Sequence, residues 1–305
     1  MAERVLITGA HGFIGRHVAR ACAAAGCTVT GLGHGSWARA EWRQWGLSEW
    51  HAADITLESL LTYGGKPDAV IHCAGSGSVG FSISSPYQDF QRTVDTTAAV
   101  LEFVRLSVPR ARVALPSSAS VYGNAARMPL SEQTPCQPVS PYGVHKLVAE
   151  WLCDDYASNF GVRVSVVRLF SVYGTGLRKQ LLWDACHKAS QDMHVFSGTG
   201  NETRDWIHVE DAAKLLLLAT EHADDTCPVV NGGTGVQVTV REVLDELYRA
   251  LGRGGSPAFS GVVREGDPLH LQADTGRIHA WGWRPRVDLR DGLRDYARWF
   301  AEGAP

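Results

Sequence analysis

Short apolar runs alternate with longer amphipathic stretches through the first half of the chain. Arg4-Val5-Leu6-Ile7-Thr8 is a short run with a β-branched bias, the composition of a buried strand. A helical segment follows to about Ala25. Thr28 to Leu32 reads as a second strand, and another short one precedes Asp54-Ile55. Ala69 to Cys73 and Val113 to Pro116 are further buried-type strands, separated by a long helix from Pro86 to about Leu106. A helix opens at Pro141, and Arg163 to Leu169 is the next strand. This alternation predicts an α/β fold in which a parallel sheet carries helices on both faces. Beyond about residue 172 the pattern loosens. It predicts helices over 179–192, 209–222, 239–251 and 290–301, with Gly-rich turns at Gly198-Thr199-Gly200 and Gly232-Gly233.

The first strand runs into Gly9-Ala10-His11-Gly12-Phe13-Ile14-Gly15 and then a helix. In this strand–turn–helix context the glycines have distinct tasks. Gly9 makes the tight turn, Gly12 lets backbone approach a pyrophosphate, and Gly15 brings helix and strand together. The sheet is therefore expected to be a Rossmann-type, doubly wound one. Its dinucleotide-binding domain is placed at 1–172, with 173–305 forming mainly a smaller C-terminal α/β substrate lobe. That boundary is loose, because later segments can return to the sheet. Ligands of such sheets bind outside the C-terminal strand ends. Gly9, Ala74, Ser118 and Phe170 all fall there.

The second strand ends in Gly31-Leu32-Gly33-His34-Gly35-Ser36, with Arg39 just beyond and no carboxylate for a ribose 2′-hydroxyl. His34, Ser36 and Arg39 are candidates for a 2′-phosphate, so the cofactor is NAD or NADP, with NAD slightly favoured. Asp54 and Ile55 are placed for an adenine contact. Trp37, Trp42, Trp45 and Trp50 read as packing residues rather than a ligand box.

The chain's 305 residues carry a net charge of -3 and seven scattered cysteines. Nothing in that balance points to nucleic acid or a membrane. The cysteines are odd in number and never spaced C-x-x-C, which fits reduced thiols in a cytoplasmic protein. No signal peptide and no apolar run of membrane-spanning length is expected. The 12 histidines show no metal-binding spacing, and no metal is expected.

The chemistry centres on Ser140-Pro141-Tyr142-Gly143-Val144-His145-Lys146. Pro141 suits a first helical turn. Tyr142 and Lys146, four residues apart, then share a face. A cation ~4 Å from the phenol, at an effective dielectric of about 20, is worth ~4 kcal/mol or roughly three pKa units. Lys146 is thus expected to bring Tyr142 within reach of proton transfer near neutral pH.

With these residues in place, the chain resembles the extended short-chain dehydrogenase/reductase family, in its sugar-nucleotide epimerase, dehydratase and reductase branch. The resemblance rests on the glycine motif, Asp54-Ile55, His72-Cys73-Ala74-Gly75 and Ser117-Ser118-Ala119-Ser120-Val121-Tyr122-Gly123. It continues through the Tyr142 helix, Arg168-Leu169-Phe170, Val172-Tyr173-Gly174, Arg204-Asp205-Trp206-Ile207-His208, Asn231-x-Gly233-x-Gly235 and Arg264-Glu265-Gly266-Asp267. It implies Ser118, Tyr142 and Lys146 as the catalytic set. Tyr142 would move the sugar hydroxyl proton, Ser118 would share that hydrogen bond, and Lys146 would grip the nicotinamide ribose. Gly9, Gly12, Phe13, Ile14, Gly15, His34, Arg39, Asp54, Ile55, Ala74, Gly75 and Phe170 would join Tyr142 and Lys146 around the cofactor. Ser78, Ser120, Ser171, Arg204, Arg264 and Asp267 would face the nucleotide-diphosphate sugar, the arginines through their fork of donors. A homodimer through a four-helix bundle is implied as well.

The chain departs from relatives at Ser171 and Thr93, where many carry Asn. Ser118-Ala119-Ser120 stands where the 4,6-dehydratases carry Thr-Asp-Glu, which argues against water elimination. Three readings stay open. One is a 4-epimerase acting on an NDP-hexose through a transient 4-keto sugar. The second is an NADPH-dependent reductase of an NDP-4-keto-6-deoxyhexose. The third, more remote, is a cofactor-binding protein without catalysis.

Overall fold

The computed structural model describes residues 3–252, 255–262 and 268–303. Its large sheet is built from β1 (Arg4–Thr8), β2 (Thr28–Gly33), β3 (Glu49–Ala52), β4 (Ala69–His72), β5 (Arg112–Ser118) and β6 (Arg163–Leu169). The small strands β7 (Ser171–Tyr173), β8 (Val195–Phe196) and β9 (Thr203–His208) come next. β10 (Val229–Gly232) returns to the sheet, and β11 (Gln237–Thr239) and β12 (Ala258–Phe259) do not. The order is β10-β6-β5-β4-β1-β2-β3, all parallel. This is the doubly wound arrangement that reverses at β1 and β4, where a crevice opens at the strand ends.

The strands are apolar on both faces, and alternate residues feed two cores. Val5, Ile7 and Ile71 point into one core with α1 (Phe13–Ala24) and α9 (Val209–Glu221). Leu6, Val70 and Val113 point into the other, beneath α3 (Leu57–Tyr63), α6 (Thr96–Ser107) and α7 (Pro141–Phe160). A strand covered twice cannot show polar alternation, which is why these read as continuous apolar runs. Trp37 and Trp42 are buried in the first core and Trp45 and Trp50 pack against it, next to α2 (Arg39–Gln44).

Two short helices, α4 (Val79–Ser84) and α5 (Pro86–Phe90), precede a π turn at Gln91–Asp95 that leads into α6. The expected helix from Pro86 is therefore interrupted. The interruption coincides with threonine hydroxyls that bond back to the helix: Thr96 Oγ1 donates to Arg92 O at 2.7 Å and Thr97 Oγ1 to Thr93 O at 2.6 Å, a competition known to bend helices.

The smaller lobe stacks α8 (Gln180–Ser190), α10 (Val240–Ala250) and α12 (Leu289–Ala301) around Leu182, Leu244 and Tyr296. A three-stranded sheet β11-β9-β7 and the β12-β8 pair complete it. The chain between these lobes is not monotonic: α9 and β10 pack with the large sheet, and α11 (Gly276–Ala280) lies against β10.

Candidate active site

The ends of β1, β4, β5 and β6 surround one cleft of about 820 Å³. On one side lies the glycine turn. Gly9 has φ +69°, and a Cβ there would sit 2.5 Å from Ala74 N. A Cβ on Gly15 would meet Gly9 O at 2.2 Å, so helix and turn could not close. At Gly12 a Cβ would meet only Gly9 O, at 3.1 Å. Gly12 is the N-cap of α1, no side chain caps it, and no acid lies in the first turn. The free N–H groups and the positive end of the helix form a cradle for a pyrophosphate. Phe13 and Ile14 line the cleft beside it, with Ala74 and Gly75 across from them.

On the other side stand the end of β5 and the start of α7. Ser140 caps α7 by accepting from Gly143 N at 3.3 Å, and Pro141 occupies the first turn. Ser82 of α4 adds a bond from Tyr142 N at 3.0 Å, fixing where the helix begins. Ser118 stands by the Tyr142 phenol and favours its ionised form, and its hydroxyl donates to Ser120 Oγ at 3.1 Å. Lys146 is buried, and its ammonium donates to Pro116 O at 3.1 Å. Phe170, Ser171 and Ser78 also line the cleft, as does Arg204 toward the smaller lobe.

Electrostatics here differ from the spacing argument. Lys146 Nζ lies 5.9 Å from the Tyr142 ring centre and donates to Pro116 O. Burial raises the Tyr142 pKa, the Ser118 bond lowers it, and the Asp89 carboxylate raises it. Tyr142 is half-open to the cleft yet walled by protein, so the loss of hydration prevails. Lys146 itself is lowered to about 8, chiefly by burial and against the pull of Asp89.

A strand-bounded glycine cradle thus faces a Ser–Tyr–Lys wall across one cleft. The model of the NAD dependent epimerase/dehydratase family matches residues 5–233. The chain belongs to that family. It is 32% identical over 316 residues to the UDP-glucose 4-epimerase of Azospirillum brasilense, covering 96% of this chain and 90% of the relative. Among solved structures, MoeE5 in complex with UDP-glucuronic acid and NAD superposes with a TM-score of 0.87 at 28% identity, over 98% of this chain and 99% of that one. The dTDP-glucose 4,6-dehydratase DesIV of Streptomyces venezuelae superposes at 0.89 with 25% identity, over 98% and 97%.

Not every family motif residue reaches the cleft. His34, Arg39, Asp54 and Ile55 lie off the central cleft, past the ends of β2 and β3. His34 Nδ1 pairs with Asp54 Oδ1 at 2.9 Å, both exposed. A carboxylate thus stands by the end of β2 after all, supplied from β3. Asp205 is buried and accepts from Thr234 N at 2.7 Å and Gly235 N at 2.8 Å, so it shapes a loop. Asp211 likewise accepts from Arg286 N and Val287 N, each at 2.9 Å. Arg264 and Asp267 lie outside the described residues. Thr93 accepts from Ser76 N at 3.4 Å and steadies the Gly75 loop.

Sequence reasoning missed two polar clusters behind the Tyr142 helix. Asp89 is fully buried, with one oxygen 2.6 Å from His145 Nδ1. Glu150, two turns beyond Tyr142, receives Ser117 Oγ at 2.5 Å and Arg168 Nη2 at 2.7 Å. Arg168 Nη1 donates to Tyr122 Oη at 3.0 Å, and that hydroxyl to Asn231 Oδ1 at 2.7 Å. The signal was present in Arg168, a charge among the valines in the buried part of β6. Among the described residues no group of His, Cys, Asp and Glu is arranged to hold a metal.

Proposed function

We propose that this chain is an NAD-dependent 4-epimerase of a nucleotide-diphosphate hexose, acting through a transient 4-keto sugar. The observation that carries this is the Ser118–Tyr142–Lys146 wall facing the glycine cradle without a carboxylate beside Ser118. Two acids line the cleft among the described residues, and both are engaged. Glu202 accepts from Thr199 N and Gly200 N, and Asp184 pairs with Lys188. Neither is disposed to act as the acid or base of an elimination, which separates this site from a dehydratase.

The dinucleotide supplies the hydride acceptor and donor. Tyr142 Oη, in its ionised form, would take the 4-hydroxyl proton and, as the neutral phenol, give it back when the ketone is reduced. Ser118 holds that hydroxyl in line through its own bond to Tyr142. Lys146 stays mostly charged at pH 7, below its value of about 8, and keeps the wall cationic. Arg204, together with Arg264, would bind the diphosphate. The Asp54 carboxylate at His34 disfavours a 2′-phosphate there, which supports NAD over NADP and weakens the NADPH-dependent reductase reading.

Other features fit this role. All seven cysteines are free thiols, in keeping with a reducing compartment such as the cytoplasm. No helix among the described residues is long and apolar enough to cross a membrane. Tyr87, Val144 and Trp151 are exposed on α5 and α7, Trp151 at 62%, which supports a homodimer through these helices.

Tyr142→Phe should lose at least about a hundredfold in turnover, the low end of acid–base contributions, while retaining NAD. Comparing epimerisation of UDP-hexoses and dTDP-hexoses by the two proteins tests this. Full activity in the variant would overturn the mechanism.

A further inference from the structure

The smaller lobe sends one segment back across the cleft. After β7, residues Gly174–Gln180 run over the N-terminus of α1. Thr175 O meets His17 Nε2 at 3.1 Å. The position a Gly176 Cβ would take lies 3.8 Å from the Phe13 ring. At the far end Gln180 Nε2 donates to Gly77 O at 3.1 Å. The segment thus touches α1 on one side and the loop after β4 on the other, the two banks of the crevice where a pyrophosphate would lie.

Two further observations mark it as more than a connection. Gln180 is a non-glycine residue at φ +67°, a strained backbone that persists only where surroundings enforce it. Its side-chain anchor to Gly77 supplies that constraint. Beside it, Lys179 Nζ sits 3.0 Å from where a Gly77 Cβ would be. The residue as a whole is exposed, but its ammonium lies against the cleft wall, and that partial burial lowers its pKa. It is also near enough to Lys146 to lower that group's pKa further. Two cations thus flank the Gly75–Gly77 loop, and Asp89 and Glu150 are among the groups that favour the charged form of Lys146.

We infer that Gly174–Gln180 is a strap closing over the dinucleotide, in which Lys179 binds the cofactor's pyrophosphate from the side opposite the α1 cradle and Gln180 latches the strap to Gly77. This rests on the family's dinucleotide site and deepens it. The strap would keep the cofactor in place between turnovers, as a closed redox cycle requires.

The test reads nucleotide retention, independently of turnover. Wild type, Lys179→Met, Lys179→Arg and Gln180→Ala are each loaded with NAD, and its release is followed by rapid filtration and by thermal shift. Loss of a charged contact to phosphate should raise the NAD dissociation constant of Lys179→Met about tenfold or more. Lys179→Arg should recover most of it, and Gln180→Ala should speed release without changing the salt dependence of binding. Unchanged NAD release in Lys179→Met would overturn the inference. So would unchanged release together with a selective loss of UDP-glucuronic acid over UDP-glucose, which would give the ammonium to an acidic sugar. Because retention is measured without turnover, an inactive wild type that holds NAD would count against the proposed epimerase and leave this result standing.

Discussion

Tyr142 and His72 show how burial governs charge at single residues. Four-residue spacing alone pairs Tyr142 with Lys146, but spacing carries no account of what else surrounds them. Lys146 is turned to Pro116 O, and the phenol loses more from burial than it gains. Ser118 is the group that favours its ionised form, so the hydroxyl pair, not the ammonium alone, sets the proton transfer. His72 is fully buried at the end of β4, with Nδ1 2.6 Å from Thr8 Oγ1, and is pushed down to about 3 by burial. The unfolded chain protonates this imidazole below about pH 6.5 and the folded chain does not. Stability from this group is therefore complete above pH 6.5 and falls as pH drops toward 3, by about 1.4 kcal/mol per unit. Denaturant unfolding of wild type and His72→Gln should converge by about 2 kcal/mol between pH 6.5 and pH 5. A constant difference between them over that range would rule out the buried neutral imidazole.

At the scale of elements, α7 is fixed from three sides: Ser82 at its start, Asp89 at His145, and the Glu150–Arg168 pair two turns on. The pair is buried, at 5% and 7% exposure, and ties α7 to β6 and, through Ser117, to the residue before Ser118. Removing one partner leaves a charge uncompensated. Glu150→Ala should cost about 3–5 kcal/mol in unfolding free energy. A loss under about 1 kcal/mol would mean that the pair does not hold the helix. These ties also mark how far the sequence could be read. Strand β6 and helix α7 were legible because a valine-rich β-branched stretch and a Ser-Pro start are local signals. The glycine cradle was legible for the same reason. The π turn after α5, the His145–Asp89 contact and the carboxylate of Asp54 at His34 were not. The π turn coincides with hydroxyl bonds four residues back along the helix, the Asp54–His34 contact spans 20 residues and the His145–Asp89 contact 56, and hydrophobic periodicity registers none of them. Lys179 escaped notice because a lysine before a helix reads as solvated until its position against Gly77 is known.

Across the whole molecule, the family's doubly wound sheet places the four expected strand ends around one cleft, while the smaller lobe contributes Arg204 and the Lys179 segment. The return of α9 and β10 to the sheet couples the lobes, since the chain crosses between them repeatedly. On the outside, Trp151, Val144 and Tyr87 leave an apolar surface along α5 and α7. For the homodimer proposed above, wild type should sediment as a dimer at micromolar concentration and Trp151→Glu as a monomer; an unchanged dimer in the variant would move the interface elsewhere, and a monomeric wild type would overturn the homodimer. In the proposed epimerase, hydride leaves and returns to the same sugar carbon within one closed site. UDP-hexoses and dTDP-hexoses carrying deuterium at C4, with mass and NMR analysis of the product, follow that hydride. The product should be a 4-epimer that keeps its deuterium at C4, with no net change in NAD. Loss of the label to solvent, or consumption of NADPH with a 4-keto-6-deoxy sugar in place of epimerisation, would contradict that reading.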